Sequence, residues 1–361
     1  MKTIFFIIMI FGASLSFAQD IDTDNNDAEK YSKRFAAVML NDKWGFIDKT
    51  GKEVIPLKYD YVGDFYEGYV SVKLNDKYGF IDTTGKEITP LKYDKAEHFY
   101  EGFACVNLNG KYGYIDKTGK EITPLKYDKA EQEHFYEGYV SVKLNGKYGF
   151  IDTTGKEIIP FIYDYVDNFE ENIACVKLND KYGFIDTTGK EIIPVIYDYV
   201  DNFEENIACV KLNDKYGFID TTGKKIIPLK YDWVGGFYEG YVRVELNDKY
   251  GFIDKTGKEI IPLKYDWVED FNEGFALVVL NDKYGFVDKT GKEISPLKYD
   301  DAEDFKEGFA LVELNDKYGF VDKTGKEISP LKYDLAENFN EGFALVVLND
   351  KYGFVDKTGK E

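Results

Sequence analysis

The stretch Asp48-Lys49-Thr50-Gly51-Lys52-Glu53 sets two carboxylates around a glycine, and such an acidic loop is a place to look for a calcium ion. A calcium loop needs several oxygen ligands at alternating positions. Lysines stand at the intervening places here, and the Asp-x-Thr-Gly spacing suits a tight turn, so Asp48 is expected to accept hydrogen bonds from its own turn. The two histidines, His98 and His134, sit at one phase beside Phe99 and Phe135, where they read as solvent-facing loop residues. A general base needs a positioned partner, and none accompanies them. No Ser/His/Asp group, Cys/His pair or Gly-rich phosphate loop is present, and every acid recurs along the chain, so none is singled out for catalysis. The expectation is a non-enzymatic protein with no catalytic residue, no metal site and no cofactor.

Aromatic side chains are the more promising chemistry, because a ring offers apolar area with a polar tip for a sugar or a peptide. One position is filled in turn by Tyr61, Lys95, Lys129, Tyr165, Tyr199, Trp233, Trp267, Asp301 and Leu335. Trp233 and Trp267 are the first candidates for a contact patch, with Tyr165 and Tyr199 next to them in copy order. The competing use of aromatics is to fill a core. Phe80 and Phe99 are assigned to it, while Tyr78 and Tyr93 stay open between core and surface.

The elements that position these residues follow from a repeat. A glycine after an aromatic recurs at Gly45, Gly79, Gly113, Gly149, Gly183, Gly217, Gly251, Gly285, Gly319 and Gly353, at intervals of 34 residues except for one of 36. Ten copies of one phrase make this a repeat array rather than two or three domains. Within a copy, Tyr69 to Leu74 alternates with Val70, Val72 and Leu74 on one face, which predicts a half-buried strand. Asn75-Asp76, or Asn-Gly in two copies, predicts a two-residue hairpin turn into Lys77–Asp82. A turn through Gly85 then leads to a short third strand, Lys86 to Thr89. All nine prolines, Pro56 to Pro330, occupy the place where that strand is expected to end, because proline donates no ladder hydrogen bond. The segment from there to the next copy reads as an irregular connector. The fold class is therefore all-β: about ten three-stranded antiparallel units over residues 34–361. An open superhelical or solenoid-like stack is expected, with a closed propeller-like ring as the alternative. Two copies, from Glu157 and from Glu191, differ only at Phe161 and Val195, so the array has grown by duplication.

Residues 1–18 have the make-up of a secretory signal peptide: Lys2, then nine apolar residues from Ile4, then Ser16 and Ala18 before a cleavage point. Nine apolar residues are too few to span a bilayer, and no Cys follows for a lipid anchor. Residues 19–33 read as a flexible acidic leader. An exported protein, periplasmic, cell-surface or extracellular, is the expectation. The net charge of −20 is spread along the chain, which disfavours nucleic acid and anionic lipid as partners. Cys105, Cys175 and Cys209 share the phase held elsewhere by Ser71, Ser141, Arg243 or Leu277, and they read as incidental small side chains. A Cys175–Cys209 disulfide would have to meet strict geometry.

The recurring aromatic-Gly-Phe-Ile-Asp phrase, written Lys43-Trp44-Gly45 in the first copy and with Tyr78-Gly79 or its counterparts in the others, resembles the WG-repeat (KWG) family of bacterial proteins. The resemblance covers residues 34–361, with Trp44, Gly45, Tyr78, Gly79, Asp48 and Pro56 as its repeat-defining positions. It implies tandem β-repeats in secreted or surface proteins and no particular chemistry. The expected role is a scaffold for protein–protein contact or adhesion at the envelope. The alternative is carbohydrate binding through exposed Tyr and Trp rows.

Overall fold

The computed structural model describes residues 34–130 and 135–361. The expected signal peptide, the leader and His134 lie outside the described residues. Close contacts divide the chain into two units, one up to Glu157 and one from Ile158 to Glu361.

One kind of sheet recurs along the chain, copy after copy. In the first, β1 (Phe35–Leu40), β2 (Lys43–Asp48) and β3 (Glu53–Tyr59) lie side by side and antiparallel. In the second, β4 (Tyr61–Val62), β5 (Tyr69–Leu74) and β6 (Lys77–Asp82) do the same. The described residues form ten such open antiparallel sheets, and none closes into a barrel. The all-β repeat array is as the sequence predicts.

The hairpins follow their turn chemistry. Leu74 pairs with Lys77 across Asn75 and Asp76, whose φ angles are 51° and 61°. Asn and Asp tolerate this left-handed region, which a type I′ turn requires twice. At the second turn, Asp48 Oδ1 accepts the Thr50 hydroxyl at 2.6 Å, the Thr50 N–H at 2.8 Å and the Lys52 N–H at 3.1 Å. These bonds, the Thr50 hydroxyl first, hold its carboxyl below the usual range.

Three expectations about the strands are corrected. The connector is not wholly irregular: Tyr61–Val62 pairs with Lys73 and Val72 and adds a short strand. Proline does not end the third strand: β3 runs through Pro56 to Tyr59. The three residues of β2 from Trp44 to Phe46 face five of β3, from Ile55 to Tyr59. Pro56 sits in this bulge on the exposed side, where the ladder does not need its missing N–H. The unit is also not uniformly three-stranded, because the residue before proline decides the matter. With Ile193, Ile227 or Ile261 there, the third strand forms and the sheet has four strands. With Thr89, Thr123 or Ser295 there, the hydroxyl captures the N–H of Phe80, Tyr114 or Phe286 at 2.8–3.0 Å, and only isolated bridges remain.

Gly45 lies under the bulge. A Cβ on it would stand 2.5 Å from the Ile55 carbonyl oxygen and 2.8 Å from the Pro56 carbonyl carbon, so only glycine lets β3 cross so closely.

The core sits between successive sheets. Phe46, Ile55 and Tyr59 of the first sheet pack with Val62, Phe65, Val70, Val72 and Ile81 of the second. A single thin sheet has too little apolar area to stand alone, and stacking supplies it. Phe80 and Phe99 are core as expected, 4.8 Å apart and edge to face. Tyr93 is also core, at 1% exposure, whereas Tyr78 is half-buried against the same cluster. Lysine–acid pairs line the surface, with Lys92 to Glu121 and Lys298 to Glu327 crossing between copies at 3.0 and 2.8 Å. Such exposed pairs contribute little stability each.

Candidate functional site

The exposed aromatic row belongs to the short connector strands. Tyr165, Tyr199, Trp233 and Trp267 face Lys177, Lys211, Glu245 and Val279 across their sheets. They come from four consecutive copies and remain 44%, 44%, 36% and 38% exposed. The strand can carry a large outward residue because its neighbours in sequence, such as Val234 and Val268, point into the core.

The rings are not bare. The Tyr165 hydroxyl donates to Asp167, which raises its pKa. Trp267 Nε1 donates to Glu269 Oε1 at 2.6 Å, and its ring meets Tyr250 edge-on at 5.0 Å. Trp233 and Trp267 do not form a flat free patch. The Arg243 guanidinium lies between them, its Cζ 5.3 Å from the Trp233 ring centre and 5.0 Å from that of Trp267. One guanidinium nitrogen donates to the Val268 carbonyl at 2.9 Å. Glu269 and Asp270 stand 3.9 Å away and balance its charge. A planar cation held between two indoles is a favourable arrangement on both faces. The sequence signal for this stack was a single arginine in the phase that elsewhere holds Ser, Cys or Leu.

One copy earlier the same place is open. A cleft of about 790 Å³ is bordered by Tyr199, Tyr216 and Trp233, with Cys209 and Val234 also in its lining. Its cause is local: Gly235-Gly236 replaces the acidic or amide pair found in neighbouring copies, as in Asp201-Asn202 and Glu269-Asp270. Without those side chains the connector also pairs further, so that the strand runs from Trp233 to Tyr238. Asp201, Glu204, Glu205 and Glu239 put four carboxylates on the lining, of which Glu205 pairs with Lys255 and Glu239 with Lys289.

The remaining candidates are structural. Cys175 and Cys209 are free thiols and are not bridged to each other. Burial, and then Asp167 and Asp201, push Cys175 and Cys209 up to about 12, so neither is a ready nucleophile. His98 is half-buried and not fully solvent-facing: it stacks on Tyr66 with ring centres 4.2 Å apart. Trp44 is half-buried against the first core cluster. Among the described residues no group of three His, Cys, Asp or Glu side chains is placed to hold a metal ion, and no helix is long and apolar enough to cross a membrane.

A family model for the WG containing repeat matches nine consecutive stretches, from residues 44–78 through 216–250 and 250–284 to 318–352. No curated protein matches the chain. Among solved structures, that of a eukaryotic initiation factor is 12% identical, covering 88% of this chain and 97% of its own, at a TM-score of 0.31. PorZ of Porphyromonas gingivalis, described as a bacterial surface component of the type-IX secretion system, is 9% identical over 91% of this chain and 57% of its own, at 0.25. The extracellular domain of the putative hybrid two-component system BT3049 of B. thetaiotaomicron is 9% identical over 90% and 62%, at 0.24. Likenesses this loose carry no weight for fold or function.

Proposed function

The chain belongs to the family of WG-containing repeats, and on that premise we propose that it is an exported, non-enzymatic scaffold whose aromatic row contacts a protein partner at the bacterial envelope. The observation that carries this reading is the row itself: four exposed rings from consecutive copies, on short strands held by the same register. Tyr and Trp are residue types enriched at the centre of protein-binding surfaces. Repetition supports the non-enzymatic part, since duplication lengthens a surface without assembling a unique constellation. The opening residues, with their signal-peptide make-up, support export.

A photo-cross-linking residue placed at Tyr165 or Tyr199, in cells that make the protein, tests the reading. One dominant protein adduct is expected from both positions and none from Asn281, an exposed turn residue of another phase. Carbohydrate binding is the competing outcome. Glycan-array binding that is lost in Trp233→Ala and Trp267→Ala, with no protein adduct from the row, overturns the proposal.

A further inference from the structure

We propose that the cleft between Tyr199 and Trp233 is a receptor for an arginine side chain presented by a basic segment of the partner protein. The inference rests on the scaffold reading above and deepens it by naming the chemistry the partner must offer.

The array carries its own template. In the gap after Trp233, the guanidinium of Arg243 lies between two rings and donates to the Val268 carbonyl. A shift back by one repeat of 34 residues replaces Trp267 by Trp233, Trp233 by Tyr199, Val268 by Val234 and Arg243 by Cys209. The two ring positions and the carbonyl position are kept. The group that fills the slot is not, because cysteine is too short to reach between the rings. That place is where the 790 Å³ cleft lies.

Charge points the same way. In the filled gap the balancing acids, Glu269 and Asp270, come from the copy that follows. In the open gap their places are taken by Gly235 and Gly236, and the acids come from the preceding copy instead, as Asp201, Glu204 and Glu205. Lys255 and Lys289 pair with Glu205 and Glu239, and the two carboxylates left over, Asp201 and Glu204, favour a cation over a neutral sugar or an anion. Arg243 borders the same Trp233, but Glu269 and Asp270 already balance it, so a second cation meets compensated charge. Guanidinium suits the slot better than ammonium, because it is planar, weakly hydrated and stacks on aromatic faces. The Cys209 thiol stays neutral at the foot of the cleft and adds no competing charge.

The test uses the full mature chain and the peptide acetyl-Gly-Arg-Gly-amide, with the citrulline peptide as its uncharged isostere. Binding is followed by the tryptophan indole N–H signals. The Trp233 signal is expected to move while that of Trp44 stays still, and the citrulline peptide is expected to bind at least about tenfold more weakly. Cys209→Arg supplies the missing guanidinium from within and is expected to abolish binding. Tyr199→Ala removes one wall at an exposed position and is expected to weaken binding about tenfold if Cys209→Arg does not fold. Equal binding of the two peptides, full binding by both variants, no binding at all, or displacement by a neutral oligosaccharide overturns the proposal. If arginine is not bound while cross-links from Tyr165 persist, the arginine receptor fails alone. If both are absent, the scaffold reading fails with it.

Discussion

Three glycines of one repeat phase separate close backbone approach from every other reason for a glycine. A Cβ on Gly251 would stand 2.5 Å from the Ile261 carbonyl oxygen and 3.0 Å from the Leu263 nitrogen. On Gly285 it would meet the Leu297 side-chain tip and the Pro296 carbonyl oxygen at 3.2 Å. On Gly353 the nearest atom is the Val346 methyl at 4.0 Å. None of the three has a left-handed φ, so alanine is conformationally allowed at each. Alanine then stabilises by about 0.4–1 kcal/mol through the unfolded chain, against an overpacking cost of about 1–3 kcal/mol where space is lacking. Gly353→Ala is expected to gain about 0.5 kcal/mol and Gly285→Ala to change little. Gly251→Ala should lose about 2 kcal/mol, because backbone of a paired strand is in the way and cannot swing aside as a leucine tip can. Repeat arrays unfold piecewise, so a global midpoint dilutes the effect. Hydrogen exchange resolved to the strands of each copy is the right assay, and about 2 kcal/mol appears there as a more than tenfold faster exchange. Equal losses at all three positions would show that the phase keeps glycine for some reason other than the crossing strand.

Four further outcomes are expected. Ser329 is buried with an unpartnered hydroxyl in the phase where Ile227 and Ile261 extend a strand, so Ser329→Ile should stabilise its copy by about 1–2 kcal/mol and slow exchange around Phe320; unchanged protection there refutes the strand rule. The pKa values of about 12 at Cys175 and Cys209 predict that iodoacetamide at pH 8 labels them only as fast as the native state opens, whereas rapid labelling of the folded protein contradicts their burial. Asp94, Asp198 and Asp266 have carboxyls lowered by their lysine partners and a turn N–H, so this stability is present above the unfolded value of about 4 and lost as pH falls through the lower folded values. The melting temperature should therefore be flat from pH 8 to 5 and fall below about pH 4, while Asp304→Asn should raise it at pH 7, because burial first and Glu269 second hold that carboxyl up.

Much of the fold was legible because the local signals agree. Asn75-Asp76 dictates a hairpin, Asp82 with Gly85 a second turn, and Val70 with Val72 a buried face. The third strand was misread because two physical effects act out of sequence view. Pro56 is tolerated mid-strand only because a bulge carries it over Gly45, and that follows from register. Thr89 shortens the strand through a hydroxyl aimed at a backbone N–H, which hydropathy does not report. For the site, sequence placed Trp233 and Trp267 in one phase and Arg243 in another. Only cross-strand pairing of Trp233 with Glu245, and the stacking of one copy on the next, bring them together. The doubled glycine Gly235-Gly236 was visible, but its consequence is a gap, and a gap exists only once its neighbours are placed.

Several of the phases that differ between copies lie close together. In the glycine phase the crossing strand leaves no room for a Cβ at Gly45 or Gly251, and the Tyr93 and Phe99 side chains fill the core. The Tyr61 phase, the Gly63-Asp64 phases and the Ser71 phase are among those that vary between copies. These meet in space: Tyr61 pairs opposite Lys73, and the Gly63 N–H donates to the Ser71 carbonyl at 2.9 Å. Among the described residues the copies thus present a similar small window in which the side chains of these phases set the chemistry. Filling it with Tyr, Asp and Cys buries a thiol, with Trp and Arg it stacks a guanidinium, and with Gly-Gly it opens a cleft to the copy before. A scaffold of this kind diversifies by changing one window at a time while the crossing strand and the inter-sheet core stay as they are. The unequal windows around Trp233 are therefore where selective contact belongs, rather than in the phrase that recurs.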